Sequence, residues 1–137
     1  MGLRLKADQR HAVVYEDGDT VVKFFVRVLP EGKVRRLLTR NVALNRDNIQ
    51  EPNFNIGGLV DDKVDSIIMD WEGVEDSQGN PLPCNRSNKL IFYDNYPEIV
   101  DYVLAEVDKI AEREQKEKEK DLKNLRSGPG GPRSQDK

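Results

Sequence analysis

The chain has 137 residues, of which 34% are charged, yet 25 acidic and 22 basic side chains leave a net charge of only −3. That balance supplies no cationic field to gather nucleic acid or anionic lipid, so nucleic acid as the main ligand is disfavoured. A single cysteine, Cys84, excludes an intramolecular disulfide, and no apolar run reaches the ~20 residues that a membrane span needs.

The opening MGLRLK lacks the apolar core of a signal peptide, and Lys6 stands where myristoylation wants Ser or Thr, so a cytoplasmic setting is expected. His11 to Tyr15 and Thr20 to Leu29 are β-rich runs. Between them, Asp17-Gly18 supplies the positive φ that a tight hairpin turn requires. In the second run Val22, Phe24, Val26 and Val28 alternate with Lys23, Phe25 and Arg27, the period of a half-buried strand. Pro30 suits the first turn of a short helix, whose apolar stripe of Val34, Leu37 and Leu38 is flanked by Arg35, Arg36 and Arg40. Residues 41–58 read as a loop, because Asn is frequent, Pro52 interrupts and Gly57-Gly58 ends the stretch.

Val60, Val64, Ile67, Ile68 and Trp71 then recur at helical spacing, with Asp61 and Asp62 near the positive end of the dipole and Gly73 placed to stop the helix. Glu75 to Pro83 is a polar turn from which Leu82 folds back onto the core. Residues 85–93 predict a short helix burying Leu90 and Ile91, although the cluster LIFY leaves a strand open. Asn95 and Pro97 start a last helix, in which Ile99, Val100, Val103, Leu104, Val107, Ile110 and Ala111 form the apolar stripe.

After Ala111 that stripe stops. Glu112 with Lys116, Glu114 with Lys118 and Glu119 with Lys123 then offer i,i+4 pairs, each worth about 0.2–0.5 kcal/mol. From Ser127 onward, Gly, Pro and polar residues have nothing to bury and predict disorder. The expected class is α+β. Residues 1–111 form a single domain, with a small N-terminal antiparallel β-hairpin or sheet packed against three to four helices. Residues 112–137 form a charged helical extension with a disordered tail.

No catalytic, cofactor or metal site is legible. The one His, His11, and the one Cys, Cys84, lie far apart in sequence, and Gly57-Gly58 and Gly130-Gly131 lack the context of a phosphate loop. The acids Asp61, Asp62, Asp65, Asp70, Glu72, Glu75 and Asp76 do not match an EF-hand and read as a solvated surface. A non-enzymatic binding protein is expected. The basic segment from Glu31 to Arg46 and the acidic segment from Asp61 to Asp76 either steer a partner or neutralise each other within the fold. Ile110, where the core should thin, is a candidate apolar contact for a partner or a second copy.

From Ile67 to Pro97 the chain carries a tryptophan-containing W-x-G-V, Trp71, Gly73 and Val74. An acidic turn follows, then a G-x-P-L-P, Gly79, Pro81, Leu82 and Pro83, and a Y-P, Tyr96 and Pro97, that opens the last helix. This pattern, with FFVRVLPEGKVRRLL upstream, resembles the tail assembly chaperones of tailed bacteriophages over roughly residues 20–110. The resemblance implies a protein of the bacterial host cytoplasm, absent from the mature virion. It would bind the tape measure protein, keep it soluble and help recruit tail tube protein. It makes the motif residues mainly structural and leaves Arg35, Arg36, Arg40 and Ile110 as the partner-contact candidates. The competing classes are a tail terminator or head-tail connector, and a small regulatory nucleic-acid-binding module built on Val34 to Arg40.

Overall fold

A computed structural model describes residues 2, 9–45 and 48–127. The segment 128–137, expected to be disordered, lies outside them. Strands β1 (His11–Asp17) and β2 (Thr20–Val26) pair antiparallel in unbroken register from His11↔Val26 to Asp17↔Thr20, and Gly18 at φ +61° closes the turn. Helix α1 (Glu31–Arg40) follows Pro30, as the sequence predicts, and buries Leu37.

Residues 41–58 are not a loop. They form a hairpin of β3 (Val42–Asn45) and β4 (Asn48–Phe54), with Val42 opposite Phe54, followed by the start of helix α2 (Ile56–Ile67). Pro52 sits in β4 opposite Leu44, and it is tolerated because this two-stranded sheet gives β4 only one neighbour. Gly58 belongs to the first turn of α2, where its N–H is capped by Asn55 Oδ1 at 3.0 Å. A Cβ at Gly58 would meet the side-chain amides of Asn41 and Asn55, which would have to shift.

The single helix expected from Val60 to Trp71 is likewise two elements. α2 ends at Ile67, and Ile68–Glu72 form strand β5, which pairs antiparallel with the free side of β2 to give the order β1-β2-β5. Helix α3 (Arg86–Asn95) resolves the helix-or-strand ambiguity in favour of helix, with Asn85 Oδ1 accepting from Asn88 N–H at 2.9 Å. Ile91, expected in the core, is exposed, and Phe92 with the stem of Lys89 takes the inner side instead.

One face of the three-stranded sheet, carrying Val13, Val22, Phe24, Val26, Ile68 and Trp71, packs with Phe92 of α3 and with Ile99, Val100, Val103 and Val107 of α4 (Pro97–Ser127). Phe92 is the hub of the ring contacts, with centroids 5.8 Å from Phe24 and 5.5 Å from Trp71. The architecture is α+β, an antiparallel sheet with helices on one face. Among the described residues no helix is long and apolar enough to cross a membrane.

Candidate partner-binding surface

The residues that carry the sequence motif converge on one turn. Trp71 Nε1 donates to the Leu82 carbonyl at 2.7 Å, and Leu82 N–H returns to the Val74 carbonyl at 2.9 Å, so the chain from 71 to 82 is stitched to itself. Gly73, at φ +92°, passes so close to β2 that a Cβ would stand 2.5 Å from the Val21 carbonyl oxygen. Gly79 takes φ +83° in a turn held by Asp76 Oδ1, which accepts from Gln78 and Asn80 N–H, and Pro81 bridges back to Glu75. Leu82 packs on the core and the Pro83 carbonyl accepts from Asn88 Nδ2 at 2.8 Å, while Pro97 opens α4. Tyr96 is 50% exposed; it links α3 to α4, and its ring lies tilted against Phe92 with centroids 5.3 Å apart.

A polar seam joins α1, α2 and α3. Asp62 is buried, and its Oδ2 accepts from Asn41 Nδ2 at 2.8 Å and lies 3.7 Å from Arg40 Nη1. Its Oδ1 accepts from Arg86 Nη2 at 3.0 Å. The other arm of Arg86 reaches Asp65 at 3.1 Å, and buried Lys89 donates to Asp65 Oδ1 and to its carbonyl. The Asn41 hydrogen bond, then the Arg86 hydrogen bond and the charges of Arg40 and Arg86, hold the Asp62 carboxyl below its ordinary range against the opposing effect of burial.

At Asp62 and Asp65 this seam corrects the reading of the acidic series as a solvated surface, whereas Asp70, Glu72, Glu75 and Asp76 are exposed. Asp62 and Asp65 are internal partners, and Arg40 is neutralised against Asp62. Of the remaining candidates, Arg35 pairs with Glu31 at 2.9 Å, and Arg36 is exposed with no partner among the described residues. No periodic signal marks Asn41, Arg86 or Lys89, because their partners lie 21 to 24 residues away on other elements.

Ile110 occupies a third place. An open slot of about 550 Å³ runs between β1 and α4, walled by Ala12, Val13 and Val14 on one side and by Tyr102, Glu106, Lys109, Ile110, Glu112, Arg113 and Lys116 on the other. Tyr15 packs edge-on to Tyr102, with centroids 5.6 Å apart, and His11 Nε2 stands 3.4 Å from Glu114 Oε2 without making a hydrogen bond. These two contacts fix the direction of α4 along β1. Lys109 is tied to Glu106 at 2.8 Å, whereas Arg113 and Lys116 have no partner among the described residues.

A slot that mixes apolar side chains with charges of both signs suits a polypeptide segment. Reactive groups do not gather there: burial pushes the Cys84 thiol up, against thiolate formation, and among the described residues no three His, Cys, Asp or Glu side chains could together hold a metal ion. The family model of the YdaY prophage protein matches residues 33–124, from α1 into the outer half of α4. No curated protein and no solved structure matches the chain.

Proposed function

The chain belongs to the YdaY prophage protein family, and from that premise we propose that it is a tail assembly chaperone without catalytic activity. In this reading it binds the tape measure protein in the host cytoplasm and keeps it soluble until tail tube subunits assemble around it.

The observation that carries the reading is the form of α4. Its inner half is anchored in the core by Ile99, Val100, Val103 and Val107, and its outer half runs on past Ala111 as a charged helix. At 1.5 Å per residue, the stretch from Glu112 to Ser127 reaches roughly 24 Å. Ile110 lies at the root of this arm and half-exposed Leu122 further out, amid acids and bases of both signs. Such a surface suits reversible contact with amphipathic helices, whose apolar faces aggregate when left uncovered. The resemblance of the Trp71 to Pro97 motif to tail assembly chaperones supports the same reading. The pairing of Arg35 with Glu31 and of Arg40 with Asp62 weighs against the nucleic-acid alternative.

The test is co-expression with the tape measure protein encoded nearest to this chain, scored by solubility and co-purification. A soluble complex is expected, weakened by Ile110→Asp. An insoluble tape measure protein beside a chain that purifies as stable rings would favour a connector or terminator instead.

A further inference from the structure

We infer that the open edge of β1 pairs with β1 of a second copy of this chain, antiparallel, about a two-fold axis at Val14. The inference does not depend on what the protein chaperones.

Among the described residues β1 has a strand on one side only, so a row of its N–H and C=O groups faces outward. Edge strands are ordinarily blunted by shortness, Pro, Lys or a bulge. The other edge of the sheet, β5, is five residues long, is paired across an irregularity at Phe25/Val26, and bears Asp70 and Glu72. β1 carries its two acids, Glu16 and Asp17, only at its turn end and has none of the other devices. It is seven residues long, is paired without a register shift, contains neither Pro nor Lys, and is uncharged from Ala12 to Tyr15.

The slot beside it has the right form for another strand. Ala12, Val13 and Val14 all line it, and successive residues of a strand point to opposite faces. The wall is therefore the strand's edge and not one of its faces.

The charges then select the occupant. Tyr15 lies against Tyr102 and His11 beside Glu114, so α4 advances from the Tyr15 end of β1 toward the His11 end, where Arg113 and Lys116 stand. Antiparallel self-pairing centred on Val14 sets Val14 against Val14, Ala12 against Glu16 and His11 against Asp17. Asp17, on the α4 face of the strand with His11, Val13 and Tyr15, thus arrives in each copy at the end of the slot that holds Arg113 and Lys116 of the other, twice over by symmetry, while Glu16 stays on the opposite face with Ala12 and Val14. None of Asp17, Arg113 and Lys116 has a partner within the chain among the described residues. Glu112 and Glu114 stand at the same end and reduce the gain without reversing it, because Glu114 faces His11. The product is a continuous six-stranded antiparallel sheet.

Sedimentation equilibrium of the full chain tests this, with circular dichroism to confirm that each variant is folded. The wild type is expected to dimerise, more weakly as salt rises. Arg113→Glu with Lys116→Glu, and separately Asp17→Lys, should each weaken dimerisation about tenfold or more, since like charges then face each other. Mixed together, the two reversed chains should pair with each other, because every facing charge is again opposite. Val14→Pro, which removes a main-chain donor at the axis, should weaken the dimer whatever the charges. A wild type that stays monomeric, or a dimer indifferent to both reversals, overturns the inference.

Discussion

The seam between α2 and α3 and the outer half of α4 are both dense in acids and bases, but they hold their charges in opposite ways. In the seam, Asp62 and Asp65 are gripped by Asn41, Arg40, Arg86 and Lys89, which come from other elements already fixed by packing. Along outer α4, the pairs Glu112–Lys116, Glu114–Lys118 and Glu119–Lys123 that the sequence offers do not close. On a solvated rod, holding two long side chains together costs about as much entropy as the screened attraction returns. Where the fold has already ordered the partners, the same groups bond. Charge density in a sequence therefore does not distinguish a structural cluster from an available surface; the position of the partner does.

The sharpest way to break this contrast is Asp62→Ala. It strips one arm of Arg86 of its acceptor and leaves Asn41 Nδ2 only the Leu37 carbonyl, in a site where the carboxylate is buried, and should cost about 3 kcal/mol by urea unfolding. The same carboxylate predicts an acid limit. The Asn41 hydrogen bond lowers its folded-state pKa from the ordinary value of 3.8, so the unfolded chain binds that proton more readily. Its contribution is then present above the unfolded value and lost as pH falls through the folded one. Stability measured from roughly pH 5 to pH 2 should fall more steeply for the wild type than for Asp62→Asn.

A smaller effect comes from the motif turn, which uses neutral polar groups as the seam uses charged ones. Trp71→Phe keeps most of the buried ring but leaves the Leu82 carbonyl without its 2.7 Å donor, and should cost about 1–2 kcal/mol in the same assay. Unchanged stability would mean that water replaces the indole.

Trp71 also shows why part of the fold was hidden in the sequence. Ile68 and Trp71 are both buried though three residues apart, a spacing that reads as helix. In β5 it arises because the ladder to β2 shifts register, so that Val26 meets Ile68 while Phe24 meets Trp71. A bulged strand counterfeits the helical period. The β3–β4 hairpin was hidden for another reason, since its Asn and Pro content mimics a loop and nothing local announces the long-range cap that Asn41 forms on Asp62. By contrast, the β1–β2 hairpin, α1 and the start of α4 were legible, because a Gly turn, Pro at helix starts and a long apolar stripe act locally, while the β-branched and aromatic cluster in α3 left helix and strand both open. Of the candidate contacts, Ile110 was legible as the place where the stripe ends. The slot was not, since its other wall lies about a hundred residues away in β1.

The smallest expected effect falls on outer α4 and is the most informative about its role. Ending the chain after Ala111 removes the His11–Glu114 contact and every unclosed pair, yet no residue of the buried core. If these charges are as loosely held as their geometry implies, the urea midpoint should correspond to a loss of no more than about 0.5 kcal/mol, with the unfolding slope reduced in proportion to the surface removed. A loss well above 1 kcal/mol would place outer α4 with the seam, as structure. A silent truncation that also abolishes self-association would separate the two roles cleanly, because Arg113 and Lys116 would then matter only to a second chain.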